Sequence, residues 1–359
     1  MKPWVTPNIE SLVAYEAGKP IEELARELGI HDAVKLASNE NPLGPSPRAM
    51  EAVRAHLHGC HRYPDAAAWA LREKLAGRHG LPMTEIVQGN GSNELIELTI
   101  RSFTTPAHHV VFATPSFAMY PLACMAHGTP FSAVPLVNET HDLDAMLAAV
   151  TPDTRLFIVA NPNNPTGTHV GKEALRRALR RLPPEVIVVM DEAYVEYADA
   201  PDYADALGLR AERESLIVLR TFSKIHGLAA LRVGYAVGPA PLIDYMNRVR
   251  APFNVNGLGQ VAALAALDDL EHVEKSRSMN RTERARVSTE LGRLGLTVTP
   301  SQANFVWVDL GRPGREIYQR LLYKGVIVRP IGNGNHVRIT VGTPPENQRL
   351  FDALSEVLA

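Results

Sequence analysis

Three short stretches of this chain carry more chemical function than turns require. "NPNNPTG" spans residues 161–167, "DEAY" 191–194 and "TFSK" 221–224. Each follows directly on an apolar, β-branched run, so each is expected at the carboxyl end of a strand. Turns favour Asn, Pro, Asp and Gly on conformational grounds alone, and one such ending would carry little information. Three on the same edge of one sheet carry more, because open parallel sheets bind ligands outside the carboxyl ends of their strands. Lys224 also stands between an apolar run and the small-residue segment "GLAALRVGYAVG" (227–238). A lysine withdrawn from water costs free energy unless its amine is put to use.

As a set, an amine, a carboxylate on the neighbouring strand and an amide-rich turn suit a pyridoxal phosphate site. Lys224 would condense with the cofactor's aldehyde. Asp191 would supply the anion that the pyridine nitrogen needs, keeping the ring able to accept electrons from a substrate carbanion. Asn164 and Tyr194 could both reach the phenolic oxygen. Ser223, Thr221 and Arg232 offer donors to a phosphate. Upstream, "EIVQGNGSNELIELTIRSF" (85–103) reads as strand, glycine turn and helix, a second cradle with Ser92 and Asn93 as donors. Glu94 stands where a dinucleotide fingerprint needs its last glycine, which argues against a nicotinamide site.

These residues need a scaffold to bring them together. Apolar runs at "EIVQG" (85–89), "HVVFA" (109–113), "RLFIVAN" (155–161), "EVIVVMDEA" (185–193), "SLIVLRT" (215–221) and "LRVGYAVG" (231–238) read as strands. The middle ones recur about every 30 residues, the length of a βαβ unit. Their nearly unbroken apolar character implies cover on both faces, and "GKEALRRALRRL" (171–182) fits a crossover helix. Beyond residue 265 the texture changes to a long charged helix (270–294) and short strands at 304–310, 325–330 and 336–342. The expectation is an α/β chain in two domains. A large one, residues 45–265, holds a mostly parallel sheet between helices. A smaller α+β one combines residues 1–44, with a helix at 21–29, and residues 266–359.

Composition narrows the class further. The chain has 359 residues, a formal net charge of −2 and two cysteines. No basic patch points to nucleic acid, no long apolar run points to a membrane, and two cysteines make no disulfide framework. A cytoplasmic protein is expected.

The segments "ASNENPLGPSP", "RYPD", "NGSNELIEL", "PSFAMY", "NPNNPTG", "DEAYVEY", "FSKIHGLAALRVGY" and "VRITVGT", in that order, resemble the histidinol-phosphate aminotransferases. Those belong to the fold-type I, pyridoxal-phosphate-dependent transaminases, a resemblance that assigns seven strands to the sheet of the large domain. The resemblance implies that Lys224 bonds the cofactor, Asp191 partners its ring nitrogen, and Asn164 and Tyr194 touch its phenolic oxygen. It implies that Ser92, Asn93, Thr221, Ser223 and Arg232 hold the phosphate. Phe117 would stack on the ring, where the family usually has tyrosine. Tyr63 of "RYPD" would reach into the neighbouring subunit's site, which implies a homodimer. Tyr15, Asn39, Arg329 and Arg338 would bind substrate, two arginines suiting a phosphate dianion or a dicarboxylate.

The reaction so implied passes an amino group between L-histidinol phosphate and 2-oxoglutarate, giving imidazole-acetol phosphate and glutamate by ping-pong chemistry with Lys224 as proton carrier. An aromatic amino acid transaminase, a threonine-phosphate decarboxylase and a ligand-binding protein that kept the fold remain open as alternatives. The cluster "HLHGCHRY" (56–63) scatters its histidines and Cys60 around a helix end and is not read as a metal site. His226 reads as a loop or supporting histidine, "RRALRR" (176–181) as a solvated helix face, and "IGNGNHVRI" (331–339) as a hairpin turn.

Overall fold

The computed structural model describes residues 4–15 and 18–359. A short strand, β1 (Val34–Lys35), precedes the main sheet. Its seven strands are β2 (Ile86–Gly89), β3 (His109–Thr114), β4 (Phe131–Pro135), β5 (Thr154–Ala160), β6 (Ile187–Asp191), β7 (Leu216–Thr221) and β8 (Gly234–Val237). Their spatial order is β2-β8-β7-β6-β5-β3-β4. Of these seven only β8 runs against its neighbours, so the sheet is mostly parallel and fully α/β in character.

The unbroken apolar runs are explained by two cores, one on each face. Successive side chains in a strand point to opposite faces. Leu156, Ile158, Ile187, Val189, Ile217 and Leu219 face helices Gly91–Phe103 and Met119–His127. Phe157, Val159, Val188, Met190, Leu216 and Val218 face helix Lys172–Arg181. Each such side chain taken from water contributes about 1.5–3 kcal/mol. β4 was not foreseen: "FSAVP" is an edge strand, half-exposed and closed by proline, and so shows no apolar run.

Three further strands, β9 (Thr297–Thr299), β10 (Phe305–Asp309) and β11 (Val326–Ile327), follow the long helix Leu270–Arg293, and β12 (Arg329–Pro330) and β13 (His336–Thr340) complete the set. The expected strand at 325–330 divides. β11 pairs in parallel with β1, whereas β12 joins an antiparallel sheet of order β12-β13-β10-β9. Pro330 has no N–H with which to extend a ladder, and the chain changes sheets at Val328. The turn 331–335 closes a β12–β13 hairpin, as its glycines suggested. Helix Ile21–Leu28 packs Leu24 against Leu322 and Ile327 near these strands.

Between the two sheets the segment from Leu36 to Ser46 crosses as an irregular loop, with Asn39 and Gly44 at positive φ and a turn at 42–43. Leu36 O accepts from Thr340 N–H, Asn39 O from Asn304, and Asn41 Nδ2 donates to Ile225 O at 2.7 Å, beside Lys224. Ser46 caps helix Pro47–His56 and donates to Asp269, which caps the long helix. One short polar exchange therefore anchors the start of both helices.

Candidate active site

The carboxyl ends of β5, β6 and β7 lie side by side, with Ala160 paired to Asp191 and Asp191 to Leu219. Strand alternation decides where the polar residues point. Asp191 continues the Ile187–Val189 face and Thr221 the Ile217–Leu219 face, so both look toward helices Gly91–Phe103 and Met119–His127. Glu192, one residue on, turns the other way and ion-pairs with buried Arg220 at 2.7 Å. Its neighbour Asp205 also meets Arg220, and together they hold that guanidinium firmly charged.

A cavity of about 360 Å³ opens at this edge. Lys224, Asp191, Tyr194, Asn164, Thr221, Ser223, Arg232, Ser92, Asn93 and Phe117 all line it, and so do Tyr15, Asn39, Arg329 and Arg338. Tyr63 does not. It is 83% exposed and stacks on Phe253, with ring centroids 4.7 Å apart.

Among the described residues no carboxylate ion-pairs with the Lys224 amine. Its Nζ donates to Ser38 O at 3.2 Å and lies 5.6 Å from the centre of the Tyr194 ring. Burial, and then the Arg338 charge, bring its ammonium down to about 7, partly offset by Glu40 and Asp191. A neutral amine is thus within reach at physiological pH, as a nucleophile or proton carrier needs. Asp191 accepts from Tyr120 Oη at 2.7 Å and from Ala193 N–H at 3.2 Å. Burial pushes its carboxyl up, and those two donors and Lys224 pull it back. Tyr194 stays protonated, pushed up to about 12 by burial, and its hydroxyl accepts from Asn39 Nδ2 at 2.9 Å.

The opposite end of the cavity is built for an anion. Gly91 opens helix Gly91–Phe103 with φ +78°, and a Cβ there would sit 2.7 Å from Arg232 Nη2. Only glycine lets the guanidinium close over the first N–H groups of the helix. Arg232 Nη1 reaches Ser223 Oγ at 3.4 Å, and Ser223 N–H donates to Thr221 Oγ1. The sequence-predicted donors therefore converge, except that Asn93 Nδ2 is engaged by Glu97 Oε1 at 3.0 Å.

Across the cavity Arg329 and Arg338 are direct partners in the β12–β13 pairing. Like charges opposite one another destabilise a sheet, and an anion between them reverses the sign. Arg338 donates to Asn164 Oδ1 at 2.7 Å and to Ala37 O at 2.6 Å, while its buried Nε has no partner among the described residues. Arg329 lies 5.7 Å from the Tyr15 ring centre. His226, by contrast, lines no part of the cavity. It is buried beside Phe222, and burial brings its ring down to about 3, so it is uncharged.

Sequence reasoning missed Ser38, Met119 and Tyr120 among the lining residues. Tyr120 closes the same "PSFAMY" segment as Phe117, three positions on, and that helical spacing was the available signal. The donor set suits a small phosphorylated aldehyde: an amine in no ion pair among the described residues, an acid on the adjacent strand, and an anion cradle that a Cβ at Gly91 would fill.

A sequence profile described as aminotransferase class I and II matches residues 31–354. The chain belongs to that family, and its fold is that of the fold-type I pyridoxal-phosphate-dependent aminotransferases. A protein of Pseudomonas aeruginosa named histidinol-phosphate aminotransferase 2 is 48% identical, over 98% of this chain and 97% of its own length. A histidinol-phosphate aminotransferase of Moorella thermoacetica is 47% identical over 98% of this chain and 92% of its own. Among solved structures, that of a histidinol-phosphate aminotransferase from Sinorhizobium meliloti in complex with pyridoxal-5'-phosphate superposes with a TM-score of 0.91. It is 29% identical and covers 99% of this chain and 97% of that one.

Proposed function

We propose that the protein is a pyridoxal-phosphate-dependent aminotransferase of histidine biosynthesis, exchanging the amino group of L-histidinol phosphate with 2-oxoglutarate. The observation that carries this is the meeting of the Lys224 amine, brought down to about 7, and buried Asp191 in one cavity, with two arginines facing each other at its far end. The relatives at 47–48% identity over nearly the whole chain support the substrate.

When bound, the cofactor supplies an electron sink for the charge left as a substrate Cα–H bond breaks. The chain's residues do the rest. Lys224 would hold the cofactor's aldehyde carbon, and its amine, neutral within reach of physiological pH, would take up the substrate's Cα proton. Asp191 would present a negative charge to the ring nitrogen, and Phe117 would pack on the ring. Asn164 and Tyr194 would hydrogen-bond the phenolic oxygen. Arg232, Ser223, Thr221 and Ser92, with Asn93 beside them, would hold the phosphate. Arg338 and Arg329 hold the anionic end of each substrate in turn, Asn39 steadies Tyr194, and Tyr15 covers the cavity mouth and excludes water.

The same reading makes residues 45–265 the cofactor-binding domain, and residues 1–44 with 266–359 the domain that carries the substrate arginines. It makes the molecule a homodimer in which Tyr63 completes the partner's site, and places it in the cytoplasm, where the unpaired Cys60 and Cys124 stay reduced. Among the described residues no helix is long and apolar enough to cross a membrane.

A donor panel tests the substrate. Two charge-assisted contacts to a phosphate are together worth about 3 kcal/mol or more, so kcat/KM for histidinol phosphate should exceed that for phenylalanine at least about a hundredfold. Preference for phenylalanine, or carbon dioxide release from threonine phosphate, would replace this substrate with one of the two nearest alternatives.

A further inference from the structure

Tyr120 has no part in the roles assigned above, yet it touches two of them. Its ring is 0% exposed, and its hydroxyl donates to Asp191 Oδ2 at 2.7 Å. The same ring meets Phe117 edge-on, with centroids 5.9 Å apart and planes at 88°, and backs onto Phe112. The groups facing Asp191 are thus the Tyr120 hydroxyl, the Ala193 N–H, Lys224 and Tyr194. A buried tyrosine needs some acceptor for its hydroxyl; here that acceptor is the one carboxylate proposed to face the ring nitrogen. A carboxylate bound on one oxygen by Tyr120 and on the other by Ala193 cannot rotate, and two donors favour its ionised form.

We infer that Tyr120 is a positioning residue for the reaction: its hydroxyl keeps the Asp191 carboxylate ionised and turned toward the cavity, while its ring props Phe117 against the same ligand. The inference rests on the aminotransferase reading. The physical consequence is electronic. A less anionic Asp191 leaves the cofactor ring less cationic, and the nitrogen joining Lys224 to the cofactor then keeps its proton to higher pH.

The test is Tyr120→Phe, which keeps the ring and removes one oxygen. In protein loaded with pyridoxal phosphate, the pH midpoint of the visible absorbance band should move up by about one unit. Turnover should fall about tenfold, equal to about 1.4 kcal/mol, with KM for histidinol phosphate little changed. With a cofactor analogue carrying carbon in place of the ring nitrogen, variant and wild type should share one midpoint, because Asp191 then has no nitrogen to serve. An unshifted midpoint in Y120F, or an equal shift persisting with the analogue, overturns the inference. Should Y120F fail to fold, proton NMR of the wild-type apoprotein decides. A slowly exchanging low-field hydroxyl resonance that disappears in Asp191→Ala supports the inference, and its persistence there overturns it. A wild-type protein that takes up pyridoxal phosphate without any visible band fails the functional reading itself, a different result from any of these.

Discussion

At the scale of single residues, Lys224 sets the chemistry through its surroundings more than through its identity. Burial and the Arg338 charge bring its ammonium down to about 7, so the neutral amine gains population as pH rises through that value. The rate at which apoprotein takes up pyridoxal phosphate should therefore climb with pH to a plateau, with a midpoint near 7; a midpoint near the ordinary lysine value would contradict the described environment. The sign for stability is the same. Between the folded and unfolded values the unfolded chain binds more protons, so the apoprotein gains stability with pH over that window. Much of this was legible beforehand, because Lys224, Asp191, Asn164 and Arg232 are polar residues in apolar surroundings and advertise themselves. Tyr120 was not legible. An aromatic residue on a helix ordinarily reads as core, and only its acceptor shows that its hydroxyl matters.

At the scale of elements, the proposed phosphate cradle depends on a helix start, a strand start and two missing side chains. Gly91 at φ +78° lets Arg232 lie over the first turn of helix Gly91–Phe103, and Gly234 lets β8 approach the same turn, where a Cβ would be 2.7 Å from Ser92 N. Gly91→Val should weaken pyridoxal phosphate binding by about tenfold or more, since one or more charge-assisted contacts are lost. Its apoprotein should also melt a few degrees lower, as expected of a strained positive-φ site; equilibrium dialysis and thermal unfolding check the two effects. The strands flanking the site were legible because burial on both faces leaves an unbroken apolar run. β4 was hidden because an edge strand needs no such run, and the division of 325–330 because two-residue strands take their pairing from tertiary contacts with β1 and β13.

At the scale of the whole molecule, Tyr63 stands apart from the cavity of its own chain, mostly in solvent and stacked on the less exposed Phe253. Leu57 and Trp69 are exposed in the same part of the sequence. If a second copy supplies the missing contact, mixing Lys224→Ala chains with Tyr63→Ala chains should restore activity that neither has alone. The mixed dimer would then hold one site with both residues intact. If Tyr63 instead served its own chain, no mixture would recover. Assembly of this kind is only faintly written in one sequence, since an exposed aromatic residue looks the same whether or not a partner covers it.

The adjacent acids at the end of β6 carry a last consequence. Asp191 looks into the reaction chamber, while Glu192 looks away and is tied to Arg220. Their separate fates depend on nothing but odd and even places along one strand. Deleting a single residue from Ile187–Met190 would carry Glu192 to the chamber side and leave Arg220 with Asp205 as its one remaining acid partner among the described residues. The count of residues in that strand is thus as much a requirement of the chemistry as the acid itself.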